Sequence, residues 1–179
     1  MLWRKVATFD IEATGLNTTY GHLLCAGFKF QHEDEPRMIV AEKYKDEKAA
    51  LKLLSKTWDE ASEIYHWNGF DFDVRFVNAR LAFYGLKPLA QKNQCDLLLI
   101  HRYRYRTTSH RLDHVAVSLR CKSRKYEVAP DFWQIAQSES HPQYEEAVEK
   151  IVRHCKFDVI LTEEVASKMA PFIRTLQWR

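Results

Sequence analysis

Asp10 and Glu12 flank Ile11 at the end of the apolar run Val6-Ala7-Thr8-Phe9. Side chains of an extended strand alternate between faces, so residues two apart stand together. Two adjacent carboxylates repel one another unless a proton or a cation lies between them. Clusters of carboxylate oxygen suit hard divalent ions such as Mg²⁺ or Mn²⁺. The turn-forming stretch Ala13-Thr14-Gly15-Leu16 follows at once. A second polar group, Asn68, Asp71 and Asp73, comes just after a short predicted strand. Ends of strands in open α/β sheets are where ligands bind. His154 and Asp158 form a third group, four residues apart, which puts them on one face of a helix.

The elements that must position these residues are legible in outline. Apolar runs predict strands over 5–11, 22–31 and 37–43, with short polar turns between them, hence an antiparallel meander. Asp46 is placed to cap a helix running to about Trp58, with Ala50, Leu51, Leu54 and Trp58 at helical spacing. A short strand over 63–67 follows, and a strand reached through a helix is expected to lie parallel to its neighbour. Helices are predicted over 70–84, 96–103 and 112–119, and a long last one over 143–169. Val148, Ile151, Val152, Cys155, Val159, Thr162 and Ala166 form the apolar stripe of that last helix. The expected architecture is one mixed α/β domain over residues 1–179, without repeat or linker.

Composition bounds the class. The 179 residues are 46% hydrophobic and 13% aromatic, a composition that buries a core rather than staying disordered. No apolar run is long enough to span a bilayer, and Met1-Leu2-Trp3-Arg4-Lys5 has no secretory apolar core. A cytoplasmic or other intracellular location is therefore expected, with no membrane partner. Cys25, Cys95, Cys121 and Cys155 lack paired spacing and read as reduced, mostly buried thiols. Charge is unevenly spread. Residues 101–125 carry eight Lys and Arg against the single acid Asp113; the chain totals are 27 basic and 24 acidic, which leaves 19 against 23 elsewhere. A basic segment on a mildly acidic body is the footprint of a polyanion partner.

Taken in order, these stretches resemble a known family. Phe9-Asp10-Ile11-Glu12-Ala13-Thr14-Gly15-Leu16 resembles the first motif of the 3′-to-5′ exonucleases of the RNase H-like, four-carboxylate (DEDD) superfamily. Asn68 through Phe76 is similar to the second motif, an Asn ahead of a Phe-Asp pair, and His154 through Thr162 to the third. The nearest likeness is to the exonuclease domains of family-B DNA polymerases. The resemblance implies an RNase H-like mixed sheet flanked by helices, with three antiparallel strands followed by parallel ones. It makes Asp10, Glu12, Asp73 and Asp158 ligands of two divalent ions, Mg²⁺ or Mn²⁺, with Asp73 preferred to Asp71 because it follows Phe72 and opens Val74-Arg75-Phe76.

One position departs from the pattern. The tyrosine branch has Tyr four residues before the last Asp, where this chain has His154; the histidine branch has His five before, where it has Arg153. His154 has the ordinary pKa of a general base for the attacking water, so activity is expected to fall below about pH 6 to 6.5. The turn Thr14-Gly15-Leu16 is expected to receive the terminal nucleotide. Asn68 is expected either to touch the substrate or to cap the helix that follows. Tyr103 and Tyr105, interleaved with Arg102, Arg104 and Arg106, have the chemistry to stack on bases and pair with phosphates, and His110 and Arg111 to contact phosphate. Trp58, Trp67 and Trp133 are expected in the core. The expected activity is stepwise hydrolysis from the 3′ end of single-stranded DNA, or RNA, to nucleoside 5′-monophosphates. Its rivals are an endonuclease of the same fold and a catalytically silent nucleic-acid-binding module. Nothing in the sequence marks a polymerase-docking segment or an oligomeric state.

Overall fold

A computed structural model describes residues 5–173, so the expectation made on Met1 to Arg4 lies outside the described residues. Its centre is strand β1 (Val6–Ala13), hydrogen-bonded antiparallel to β2 (Leu23–Phe30), which pairs antiparallel with β3 (Arg37–Val40). Helix α1 (Glu47–Glu60) then carries the chain across to β4 (Glu63–His66), parallel to β1 on its other side. Helix α2 (Asp73–Phe83) leads to β5 (Asn93–Asp96), parallel to β4, so the sheet order is β3-β2-β1-β4-β5. The expected antiparallel meander and parallel crossover are both present. The remainder is helical: α3 (Leu97–Arg104), α4 (Leu112–Ser118), α5 (Asp131–Ile135) and the long α6 (Tyr144–Ile173).

Alternation along β1 sorts the sheet's two faces. Ala7, Phe9, Ile11 and Ala13 pack with Leu51, Leu54 and Trp58 of α1 and with Phe76, Val77 and Leu81 of α2. Thr8 faces α6, where its Oγ1 donates to the Val159 carbonyl at 2.9 Å. Asp10 and Glu12 continue that face. The predicted stripe of α6 lies against it, with Val148, Ile151, Cys155, Val159, Thr162 and Ala166 buried. Gly27 of β2 permits the close approach, since a Cβ there would sit 3.0 Å from Val159 Cγ1 and 3.3 Å from Cys155 Sγ.

Two elements and one boundary differ from expectation. β5 reads Asn-Gln-Cys-Asp, with no apolar alternation to announce it, and exists because its backbone pairs with β4. α5, only five residues long, is too short to leave a periodic trace. α2 starts at Asp73 rather than near Phe70 because Asn68 adopts a left-handed φ of 67° and its carbonyl accepts from the Asp71 and Phe72 N–H groups. Asn tolerates that conformation better than most residues. A 3-10 turn, Tyr44–Asp46, leads into α1, and Asp46 stands at the capping position as expected but its side chain makes no cap bond.

Candidate active site

The first two sequence groups meet where the sheet changes sense. β1 and β4 run parallel while β2 returns antiparallel, so the carboxyl ends of β1 and β4 open at a topological switch point. A cleft of about 590 Å³ lies there. Asp10 and Glu12 line it from the end of β1, Asn68 and Asp73 from the segment after β4, and Asp158 from α6. Leu16, Trp67, Phe72, Leu98 and Leu112 supply apolar wall, and Arg111, Asp113 and Lys125 complete the rim.

Asp71 and Asp73 lie in different surroundings. Asp71 is exposed and pairs with Arg75 one helical turn on. Asp73 is buried, lines the cleft and accepts from the Ile11 N–H at 2.9 Å. That bond ties the first residue of α2 to the strand between Asp10 and Glu12.

These carboxylates are badly accommodated as bare charges. Burial, reinforced by Asp73, Asp158 and Glu12, holds Asp10 well above the ordinary carboxylate range. Burial and Asp158 push Glu12 up to about 8, and burial pushes Asp73 to about 6 against the stabilising Ile11 bond. One oxygen of Asp10, Oδ2, and one of Asp158, Oδ1, are buried with no hydrogen-bond partner among the described residues. Such a donor set fits divalent cations, which supply the charge and the coordination that the protein does not.

Protein groups compensate in part, and sequence reasoning missed the two that do so. Lys125 Nζ lies 2.5 Å from Asp158 Oδ2, and the surrounding acids keep its ammonium charged despite burial. The sequence placed Lys125 only in a general basic stretch. Trp133 of α5 was expected in the core, but it is partly exposed; its Nε1 donates to Glu12 Oε2 at 3.3 Å and its ring lies edge-on to His154. His154 Nδ1 donates to the Tyr126 carbonyl, and Nε2 lies 3.6 Å from Glu12 Oε1 and 3.7 Å from Asp158 Oδ2. Burial keeps the imidazole pKa below its usual value, against the pull of Asp158. The ligand atoms of Glu12, His154 and Asp158 all fall within 4.8 Å of one another. Unlike the four carboxylates, His154 does not line the cleft.

A family model described as the RNase H superfamily matches residues 7–170. The chain belongs to the RNase H superfamily. Within this RNase H superfamily chain, 83 residues are 40% identical to the DNA polymerase III PolC-type of Ureaplasma parvum serovar 3, covering 46% of the chain and 5% of that protein. The fold is also similar to the family B DNA polymerase from the hyperthermophilic archaeon Pyrobaculum calidifontis, with a TM-score of 0.72 and 16% identity over 94% of this chain and 25% of that one. The chain thus spans only a small part of the length of either polymerase.

The residues expected to touch substrate divide into two sets. Leu16, Asn68 and Arg111 line the cleft, and Leu16 is 87% exposed. Asn68 does not cap α2, whose capping position is Phe72. Thr14 is buried and structural, its hydroxyl accepting from the His22 N–H at 3.0 Å, while Gly15 has open space beside it. Arg102, Tyr103, Arg104 and Arg106 lie outside the cleft, exposed on and just beyond α3. Tyr105 turns inward, stacked on His101 at 5.1 Å, and His110 Nδ1 pairs with His101 Nδ1 at 3.0 Å. The interleaving of Tyr and Arg therefore does not make one continuous face. Among the described residues no helix is long and apolar enough to cross a membrane.

Proposed function

We propose that this chain is a metal-dependent 3′-to-5′ exonuclease acting on single-stranded DNA, with RNA as the next candidate. The observation that carries the reading is the gathering of Asp10, Glu12, Asp73 and Asp158, from three separate parts of the chain, around one cleft with two buried oxygens left unpaired. Support for a DNA substrate comes also from the 83 residues that are 40% identical to a PolC-type DNA polymerase. Two Mg²⁺ or Mn²⁺ ions held by these carboxylates would supply an activated water and neutralise charge at the scissile phosphate.

The chain's own residues do the rest. Asp73 is fixed by the Ile11 N–H, so its second oxygen is aimed rather than free. Leu16, exposed at the lip of the cleft, wedges against the terminal base, and Arg111 meets the strand's phosphates. Lys125 pairs with the Asp158 carboxylate and adds positive charge beside the incoming phosphate. In the reaction the water oxygen bonds to phosphorus as the P–O3′ bond breaks. The products are a nucleoside 5′-monophosphate and a strand with a new 3′-hydroxyl.

The test is incubation of 5′-labelled single-stranded DNA and RNA with Mg²⁺, Mn²⁺ or EDTA, beside Asp73→Ala. A metal-dependent ladder shortening from the 3′ end, absent in the variant, is expected. Cutting of circular single strands would make the chain an endonuclease instead. Binding without cleavage under every metal would make it a silent binding module.

A further inference from the structure

We infer that His154 is itself a metal ligand, through Nε2, and that it biases this centre toward divalent transition ions such as Mn²⁺, Co²⁺ and Zn²⁺ over Mg²⁺. The inference rests on the metal-centre reading above and assigns one more ligand to it. The orientation of the ring carries it. A carbonyl oxygen can only accept, so the contact of Nδ1 with the Tyr126 carbonyl places the ring proton on Nδ1. The nitrogen facing the acids, Nε2, is then the one with the lone pair. Metal-bound histidines use the same arrangement, giving their second N–H to a backbone carbonyl or carboxylate.

The separations agree. Nε2 stands 3.6 Å from Glu12 Oε1 and 3.7 Å from Asp158 Oδ2, too long for hydrogen bonds. Donors bound about 2.0–2.2 Å from one ion lie about 3.0–3.6 Å from each other, which is close to this spacing. The other groups on the two acids leave them usable. Trp133 takes Glu12 Oε2 and leaves Oε1, while Asp158 Oδ2 accepts from Lys125 with one of its two lone pairs and Oδ1 has no partner among the described residues.

The position also suits a ligand. His154 is buried, and its Nε2 faces the Glu12 and Asp158 oxygens at the back of the cleft. Trp133 stands edge-on to its ring, with centroids 5.4 Å apart. Affinity for a nitrogen donor rises along the series from Mn²⁺ toward Zn²⁺, whereas Mg²⁺ keeps to oxygen. An imidazole ligand therefore separates Mg²⁺ most from the later ions and less from Mn²⁺.

The experiment uses the full chain, stripped with chelator and reloaded with one equivalent of Mn²⁺. Pulsed EPR then reads any ¹⁴N coupling to the ion, and calorimetry reads Mn²⁺ and Mg²⁺ affinities. A nitrogen coupling that disappears in His154→Tyr is expected, with the Mn²⁺-to-Mg²⁺ affinity ratio falling about 10-fold. Should that variant not fold, the wild-type spectrum together with His154→Gln decides the point. Bound Mn²⁺ that is lost in Asp10→Asn but shows no nitrogen coupling overturns the inference and leaves the carboxylate centre standing. Lost turnover in His154→Gln with both affinities unmoved also overturns it, assigning proton transfer instead. No stoichiometric Mn²⁺ in any form of the chain overturns both readings.

Discussion

Two of the places where described residues bury carboxylates treat them in opposite ways. Glu47, fully buried at the start of α1, receives two bonds from Arg80 at 2.8 and 2.6 Å, one from the Tyr84 hydroxyl at 2.8 Å and one from the Leu23 N–H at 2.8 Å. Arg80 also reaches the Thr18 carbonyl, so the network pins the loop between β1 and β2 to α1 and α2. At the end of β1, by contrast, four acids share one ammonium, and two buried oxygens have no partner among the described residues. A fully paired buried charge maintains a fold; a surplus of one sign, held together by that fold, awaits a ligand of the other sign. The first region keeps rigid the loop that presents Leu16 to the second.

The largest expected effect separates activity from stability. Asp73→Asn should lower metal-dependent cleavage by about 10³-fold, as for loss of a group that holds the transition-state charge. It should leave the melting temperature of chelator-treated protein unchanged or higher, because it removes a carboxylate whose charge is penalised by burial. A marked drop in melting temperature would place Asp73 with Glu47 as a structural acid. The mirror-image variant is Arg80→Leu, which strands a buried Glu47 and should cost about 3–5 kcal/mol of folding stability in urea titration. A loss below about 1 kcal/mol would erase the contrast between the regions.

Acidity offers a third way to break the comparison. A carboxylate with a raised folded pKa favours the folded state fully below its unfolded pKa, and that contribution is lost as pH rises through the folded value. Chelator-treated protein should therefore lose stability from about pH 4 upward, through about 6 for Asp73 and about 8 for Glu12. Added Mn²⁺ should raise the melting temperature more at pH 8 than at pH 5.5. Equal stabilisation at both values would mean that the ion binds elsewhere. The smallest effect is expected on α3: Tyr103→Ala should change turnover of a short oligonucleotide less than about threefold, whereas Leu16→Ala in the cleft should cost about 10-fold.

On the acid-cluster side much was readable from local pattern, whereas the Glu47–Arg80 network was not anticipated. The two-residue spacing of Asp10 and Glu12, the stripe of α6 and the four-residue spacing of His154 and Asp158 are properties of single elements, and each appears as expected. What escaped depends on distant parts of the chain. β5 owes its existence to backbone pairing with β4, not to its own side chains. Lys125 from the irregular stretch after α4, and Trp133 from the short α5, reach the acids along a path held by Phe132 and Trp133 packing with Val148 and Ile151 of α6. Tyr105 looked like a stacking platform, but the end of α3 turns it toward His101 and Phe172. Periodicity names a helix face; it does not say what another element brings to it.

The central claim is that the acids at the end of β1 are arranged for divalent cations. Its most direct test is the stoichiometry and affinity of Mn²⁺ binding to chelator-treated protein by calorimetry, beside Asp10→Asn and Asp73→Asn. Two ions per chain at saturation, with at least one lost in each variant, is the predicted result. Binding that neither substitution alters would contradict it.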